Sequence, residues 1–436
     1  MKKFIIFAVM ATLALGASAE GYQVNSLSAK QNGMGHTGVA QKLGAESMIF
    51  NPAGMAFMNR TIDFSGSFTA IFSSASAVYN ETKYTTDSDP STPMAFNLGF
   101  NIYKNLKAGV SFYTPYGSGI NWGENWPMAV MNQSVKLKAF TVQPTVAWRI
   151  LPNLSIGAGA MVTWGTVDMN KGLISGESFG MVAGAAGVQW PASATPASIN
   201  LSGKAAVTVG INVGAMWDIS DKVTIGASFR SQMNLKVKKG IASVNYANAT
   251  VQAMLQDKLG LIDQANFTAA MPAPAVWNLG VAYKPVSKLL LALDLQLTQW
   301  DAYKSLDVEF ALPVTAFDQH IPKNYKASML YKLGAQYSLT DRFDLRLGLM
   351  VDTTPVQLDN FNPETPGMTR ISPSVGFSFR PVKFLSIDAA LLYVAGLGRD
   401  GASVTTTDML TQQPVTYTAN YSISAWNPSI GVSLHF

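Results

Sequence analysis

His36, His320 and His435 are the only imidazoles in this chain, and it contains no cysteine. Nucleophilic hydrolysis needs a nucleophile beside a base that a third group orients. The three histidines are far apart in sequence, and no Ser, Asp or Glu stands where it would visibly complete a triad. No metal-ligand spacing and no phosphate-cradling glycine loop occurs. Neither catalysis nor a metal nor a cofactor is expected. What remains is binding chemistry. The stretch "GAESMIFNPAGMAFM" (44–58) is apolar enough to be buried, yet Asn51-Pro52 interrupts it with a turn signal. Its setting depends on what the rest of the chain encloses.

Several stretches alternate with period two, which marks strands rather than helices. In "LLLALDLQLTQW" (289–300), Leu289, Leu291, Leu293, Leu295 and Leu297 share one face, and Asp294 and Gln296 share the other. In "FDLRLGLMVD" (343–352), leucines oppose Asp344, Arg346 and Asp352. Charged residues are only 13% of the chain and hydrophobic residues 48%, with mean hydropathy +0.15. Soluble proteins carry about twice that charge. After the N-terminus no clean apolar run is long enough for a membrane helix. The combination predicts an all-β fold, a transmembrane antiparallel β-barrel.

The first residues read as an export signal. Lys2 and Lys3 precede the apolar run Phe4–Gly16, and Ala17-Ser18-Ala19 forms a small-x-small cleavage site. The expected organisation is a signal peptide at 1–19, a plug-like hatch at 20–59 and the barrel at 60–436. About fourteen strands are expected, including 62–78, 106–121, 153–169, 288–303, 325–338 and 419–436. Long connections are expected at 79–90, 171–200, 239–270, 352–369 and 396–419, all on one rim. The chain closes on "PSIGVSLHF", an alternating strand ending at Phe436. Trp148, Trp217, Trp277, Tyr283, Trp300, Tyr303, Tyr393 and Trp426 are expected in interfacial girdles. The net charge of +5 is too small and scattered for nucleic acid. The expected localisation is the bacterial outer membrane, as a monomer contacting outer-membrane lipid.

The sequence resembles the FadL-type outer-membrane transporters, channels for long-chain fatty acids and aromatic hydrocarbons. The resemblance rests on "GYQVNSLSAKQNGMGHTGVA" with "NPAGMAF", on "YTPYGSGINW", on "PAPAVWNLGVAYKPVSKLLLALDLQLTQWDAY" and on "NYKASMLYKLGAQYSLTDRFDLRLGLMVDTTPV". It implies a fourteen-stranded barrel, a hatch in the lumen and a kinked third strand that opens the wall sideways. The expected function is passive uptake of hydrophobic small molecules with lateral release into the membrane. A porin for small polar solutes is the alternative.

The expected ligand-binding residues follow. Phe50, Asn51, Pro52 and Ala53 form the hatch turn. Pro115, Tyr116, Gly117, Ser118 and Gly119 form the kink, since Pro breaks a ladder bond and Gly permits a bulge; a strand simply ending at Thr114 is the other reading. Val251, Met254, Leu255, Leu259 and Ile262 would share one helical face, where the resemblance implies a surface groove. A second apolar segment, Ser178–Trp190, could contribute to it. Lys323 matches a basic family position, and Arg346 faces the lumen register. Each could meet a carboxylate or simply pair with Asp294 or Asp344. The fifth strand reads "TWGTVDMNKG" and offers no base before Lys171, which departs from the family pattern.

Overall fold

A computed structural model describes residues 21–312 and 318–436. The expected signal peptide and Glu20 lie outside the described residues. Fourteen antiparallel wall strands form a closed ring. They are, in order, Ile62–Thr69 continued by Phe72–Tyr79, Met94–Tyr103, Leu106–Asn121, Ser134–Leu151, Leu154–Gly172, Ala197–Asp218, and Val223–Arg230 continued by Met233–Tyr246. The eighth to tenth are also interrupted: Gln264–Ala273 with Val276–Val286, Leu289–Thr298 with Ser305–Phe310, and Gln319–Pro322 with Ser328–Thr340. Phe343–Asp352, Arg370–Val382, Leu385–Gly396 and Pro414–His435 complete the wall. The first strand pairs with the last in the register Asp63↔His435 to Thr69↔Ser429, so the main sheet has no open edge at the seam.

The side-chain pattern decides which face is wet. Val207, Val209 and Leu347 are each 64% exposed, whereas Gln143, Thr163 and Asn212 are 0% exposed. Large apolar side chains outside and polar ones inside invert the arrangement of a soluble sandwich. It is what lipid outside and a polar lumen require. No described helix is long and apolar enough to cross a membrane.

The outer-rim strands run further than the alternation suggested. The fifth ends at Gly172 and the sixth begins at Ala197, while the seventh and eighth reach Tyr246 and Gln264. The hairpin strands Thr82–Thr85 and Arg399–Thr407 also occupy expected loops. Beyond the membrane both faces can be polar, so pairing continues where period two fades. Trp300 and Tyr303 correct the girdle assignment: they are 0% and 2% exposed, in and just after the short turn Trp300–Ala302 that interrupts the ninth strand. Trp148, Trp217, Trp277, Tyr283 and Trp426 are exposed, as the girdle requires.

Candidate functional site

Residues 21–58 make only short helical pieces: Ala29–Asn32, Gly44–Glu46, Ser47–Phe50 and Pro52–Phe57. Such pieces leave many backbone groups without partners of their own. The inward polar side chains of the wall supply those partners. The Ser67 hydroxyl accepts from Ala29 N at 2.7 Å, and Ser374 accepts from Gly35 N at 3.2 Å. One carboxylate oxygen of Asp294 accepts from Gly38 N at 2.6 Å and Val39 N at 3.0 Å. Gln143 and Asn212 donate to the Met48 carbonyl at 2.8 and 3.0 Å. Ser228 donates to Phe50 O and Ser155 to Ala53 O. The segment is therefore tied to strands around the ring, and the lumen-facing polar register is consumed in holding it.

The Asn51-Pro52 turn now has its reason. The Asn51 carbonyl oxygen caps the following turn by accepting from Ala53 N at 3.1 Å, with Pro52 at its first position, where no N–H is needed. Its amide donates to Val39 O at 2.7 Å and to Ala215 O on the sixth strand at 3.0 Å. The wall yields space where the backbone arrives: a Cβ on Gly157 would strike Pro52, and one on Gly348 would strike Gly35. Phe50 is half-buried against the small cluster of Leu27, Ile49, Ala95 and Tyr113. Phe50, Asn51, Pro52 and Ala53 line none of the three cavities described below.

The third strand carries the break. It pairs with the second strand from Tyr103↔Leu106 only as far as Ala95↔Tyr113. Its pairing with the fourth strand shifts register between Tyr113 and Tyr116, the bulge expected beside Pro115. On the side the second strand has left, the N-terminal segment takes over. Val24 N donates to Pro115 O and Gly117 N donates to Tyr22 O, both at 2.9 Å, and Gln23 bridges Tyr116. Higher up, Asp87 N donates to Asn121 O and Asn121 N to the Ser88 hydroxyl. Ser118 and Gly119 line a cavity of about 70 Å³ with Gly21, Ser73, Glu364 and Arg370.

Tyr116 is 7% exposed and meets Tyr22 at 6.1 Å between ring centroids. Tyr22 continues to Trp300 at 4.8 Å and Tyr303 at 6.0 Å, and Trp300 to Tyr325 at 6.1 Å. This aromatic cluster was not foreseen.

An apolar cavity of about 50 Å³ sits in the outer half of the lumen. Its inward lining includes Leu137, Leu201, Leu235, Val237, Phe267 and Leu306. A smaller one, about 40 Å³, lies at the rim beside Leu261, Phe310, Gln319 and Met409. The helix Ala249–Leu259 stands above, with Val251 and Leu255 buried and Met254 and Leu259 packed against the same cluster. It ends at Gly260, whose φ of 62° is the left-handed cap conformation. Ile262 therefore leaves the predicted helical face and is 38% exposed, while Leu261 is buried in its place. The second helix spans Gly176–Ala185, short of Trp190.

The two expected bases are both engaged. Lys323 is buried in an ion pair with Glu364. Arg346 bonds Asp388 at 3.0 Å, Ser378 at 2.6 Å and Gln336 at 2.8 Å. Asp344 is 3.8 Å from Arg346 and is held mainly by Arg380, while Asp294 is spent on the N-terminal segment. Lys171 donates to Gln319 at 3.0 Å, and Gln319 lines the rim cavity. Thus the Asn51-Pro52 turn, the loop helix and Arg346 occupy separate places in the barrel, whereas Lys323 adjoins the kink through Glu364, which lines the cavity of Ser118 and Gly119.

Comparison with known proteins fits this geometry. A family model described as outer membrane protein transport protein (OMPP1/FadL/TodX) matches residues 10–436. The chain is 23% identical to the outer membrane protein P1 of Haemophilus influenzae over 474 aligned positions, covering 100% of both chains. It is 21% identical to a long-chain fatty acid transport protein of Salmonella typhi, covering 90% of this chain and 92% of that one. The fold superposes on a Pseudomonas aeruginosa FadL homologue with a TM-score of 0.80 at 18% identity, covering 96% and 100% of the two chains. For the Pseudomonas putida toluene transporter TodX the TM-score is 0.72 at 16% identity, covering 96% and 99%. An inverted barrel whose third strand breaks at "TPYGSG", matched across nearly its whole length, places this chain in the OMPP1/FadL/TodX family of outer-membrane transport proteins.

Proposed function

We propose that this protein takes hydrophobic small molecules, long-chain fatty acids or related lipids and hydrocarbons, across the outer membrane without an energy source, and releases them sideways through the third strand. The observation that carries the reading is the exchange of partners at Tyr113: above it the wall strand is paired with residues 22–24 instead of its neighbour. A single bridge made of two backbone bonds is easier to open than a full ladder. An apolar ligand gains about 25 cal/mol for each Å² kept from water. Exit into the bilayer retains that gain, and exit into the periplasm forfeits it.

Residues 21–58 act as a hatch in this scheme. The ligand is captured at the rim beside Met254, Leu255 and Leu259, and passes the apolar cavity around Leu235 and Phe267. It leaves past Pro115–Gly119, as a monomer's cargo and with no partner chain. Buried ion pairs give Lys323 and Arg346 a supporting role in the wall. The direct test is uptake of labelled long-chain fatty acid and of toluene by cells with and without this protein. Uptake of at least one must depend on the protein; equal uptake of both in the deletion strain refutes the proposal.

A further inference from the structure

Exposed lysines form a row on one sector of the barrel wall. Lys138 of the fourth strand stands opposite Thr166 of the fifth, and Thr166 stands opposite Lys204 of the sixth. Val237 pairs with Ala205, so Lys238 follows beside Lys204 on the seventh strand. Lys136 and Lys236 flank the row, and all of these lysines are exposed. The pairing shifts between Val237 and Gly240, and Lys238 and Lys239 between them are both exposed while Val237 and Gly240 are buried. Six lysines therefore face two carboxylates, Asp168 and Asp89, the second already bonded to Lys136 at 2.8 Å. Asp87 lies beside Asn121, toward the rim from Lys136, and on the other side Asp307 and Glu309 stand on the ninth strand, two strands away.

The level of this row is fixed by what lies below it. Two residues below Lys138, the Phe140 ring stacks between Phe112 at 6.1 Å and Trp164 at 6.2 Å. Below Lys204 come Val207 and Val209, each 64% exposed. An aromatic girdle marks the membrane interface, and two strand residues span about 7 Å. The lysines thus sit just outside the hydrocarbon. They are also near the rim of long connections, 122–133, 173–196 and 247–263, which is the outer face. Lys138 and Lys204 are two strands apart, about 10 Å, wide enough for two phosphate groups of one lipid. Thr166 stands between them, and further toward the rim Asn200 bonds Asp168 at 3.2 Å and Asn170 at 3.0 Å.

We infer that the outer faces of the fourth to seventh strands bind the phosphorylated headgroup of an outer-leaflet lipid through Lys138, Lys204 and Lys238. This site is on the lipid side of the wall and does not depend on the transport route. The test uses the full protein in detergent, titrated with a bisphosphorylated glycolipid, its dephosphorylated form and inorganic phosphate, and read by native mass spectrometry. The variant K138S/K204S/K238S should retain the phosphorylated lipid about ten-fold or more less than the parent, since three charges that meet the phosphates are removed. The single variant K238S should show a smaller loss. A control at the opposite rim, K284S/K288S/K383S, should retain it like the parent. The inference is overturned if the triple variant binds as the parent does, if the control loses as much, if the dephosphorylated lipid binds equally, or if inorganic phosphate displaces the lipid at equal concentration.

Discussion

Gln23 and Tyr116 form an isolated antiparallel bridge between the N-terminal segment and the broken third strand. It is flanked by the Val24–Pro115 and Tyr22–Gly117 backbone bonds. If the ligand leaves past this strand, the bridge must open. A disulfide between cysteines in the variant Q23C/Y116C should reduce uptake of a hydrophobic substrate several-fold, and dithiothreitol should restore it. The native chain has no cysteine to confuse the result. Undiminished uptake by the oxidised variant would show that the bridge need not part.

The fold itself predicts a simple behaviour. Unboiled and boiled protein should migrate differently in a denaturing gel, and circular dichroism should be dominated by β structure. A predominantly helical spectrum would contradict the barrel.

Gly348 gives a sharper test of the hatch. A side chain there collides with the Gly35 backbone. The variant G348V should keep the barrel heat-modifiable yet loosen residues 21–58. A cysteine in A53C should then label with an impermeant maleimide as fast as one in E81C, whereas without G348V the buried position should label much more slowly. Equal labelling rates already in A53C would mean that the segment is not held in the lumen.

The Asn51 side chain links the hatch turn to the sixth strand: its oxygen accepts from Ala53 N and its nitrogen donates to Ala215 O. N51A removes these bonds and leaves buried carbonyls unpaired, about 1–3 kcal/mol. The expected readout is a lower temperature for the loss of hatch protection with little change in barrel melting. A change confined to barrel melting would place the role of Asn51 in the wall.

His36 supplies a pH dependence. Burial first, and Lys332 second, lower its pKa from 6.5 to about 3. Released from the lumen, the imidazole would titrate near 6.5. The contribution of neutral His36 to docking is complete above pH 6.5 and is lost progressively as pH falls toward 3. Melting of the hatch followed from pH 7 to pH 4 should therefore fall more steeply in the parent than in H36Q. Parallel curves would contradict a buried neutral histidine.

Much of this architecture could be read from residue order. Alternation at 289–300 and 343–352 identified wall strands because a one-residue slip would turn every leucine into the lumen. Pro115 marked the bulge because it cannot donate to a ladder. Pairing with a carboxylate was one of two readings for Lys323 and Arg346, but their partners Glu364 and Asp388 were not legible, because they come from other strands and loops. The aromatic cluster around Tyr22 and Trp300 was hidden for the same reason. Trp300 continues the inward register of Asp294, Gln296 and Thr298, and the short turn Trp300–Ala302 sets it among rings from other elements.

Lateral release is the central claim, and the third strand offers its most direct measurement. Replacing Pro115–Gly119 with Val-Thr-Val-Thr-Val restores alternation and every backbone donor, so the strand can pair with its neighbour beyond Tyr113. The variant should reach the outer membrane and remain heat-modifiable. Its uptake of labelled fatty acid or toluene, whichever the parent carries, should fall to the level of cells lacking the protein. If the straightened variant transports at the parental rate, the ligand does not leave through this strand.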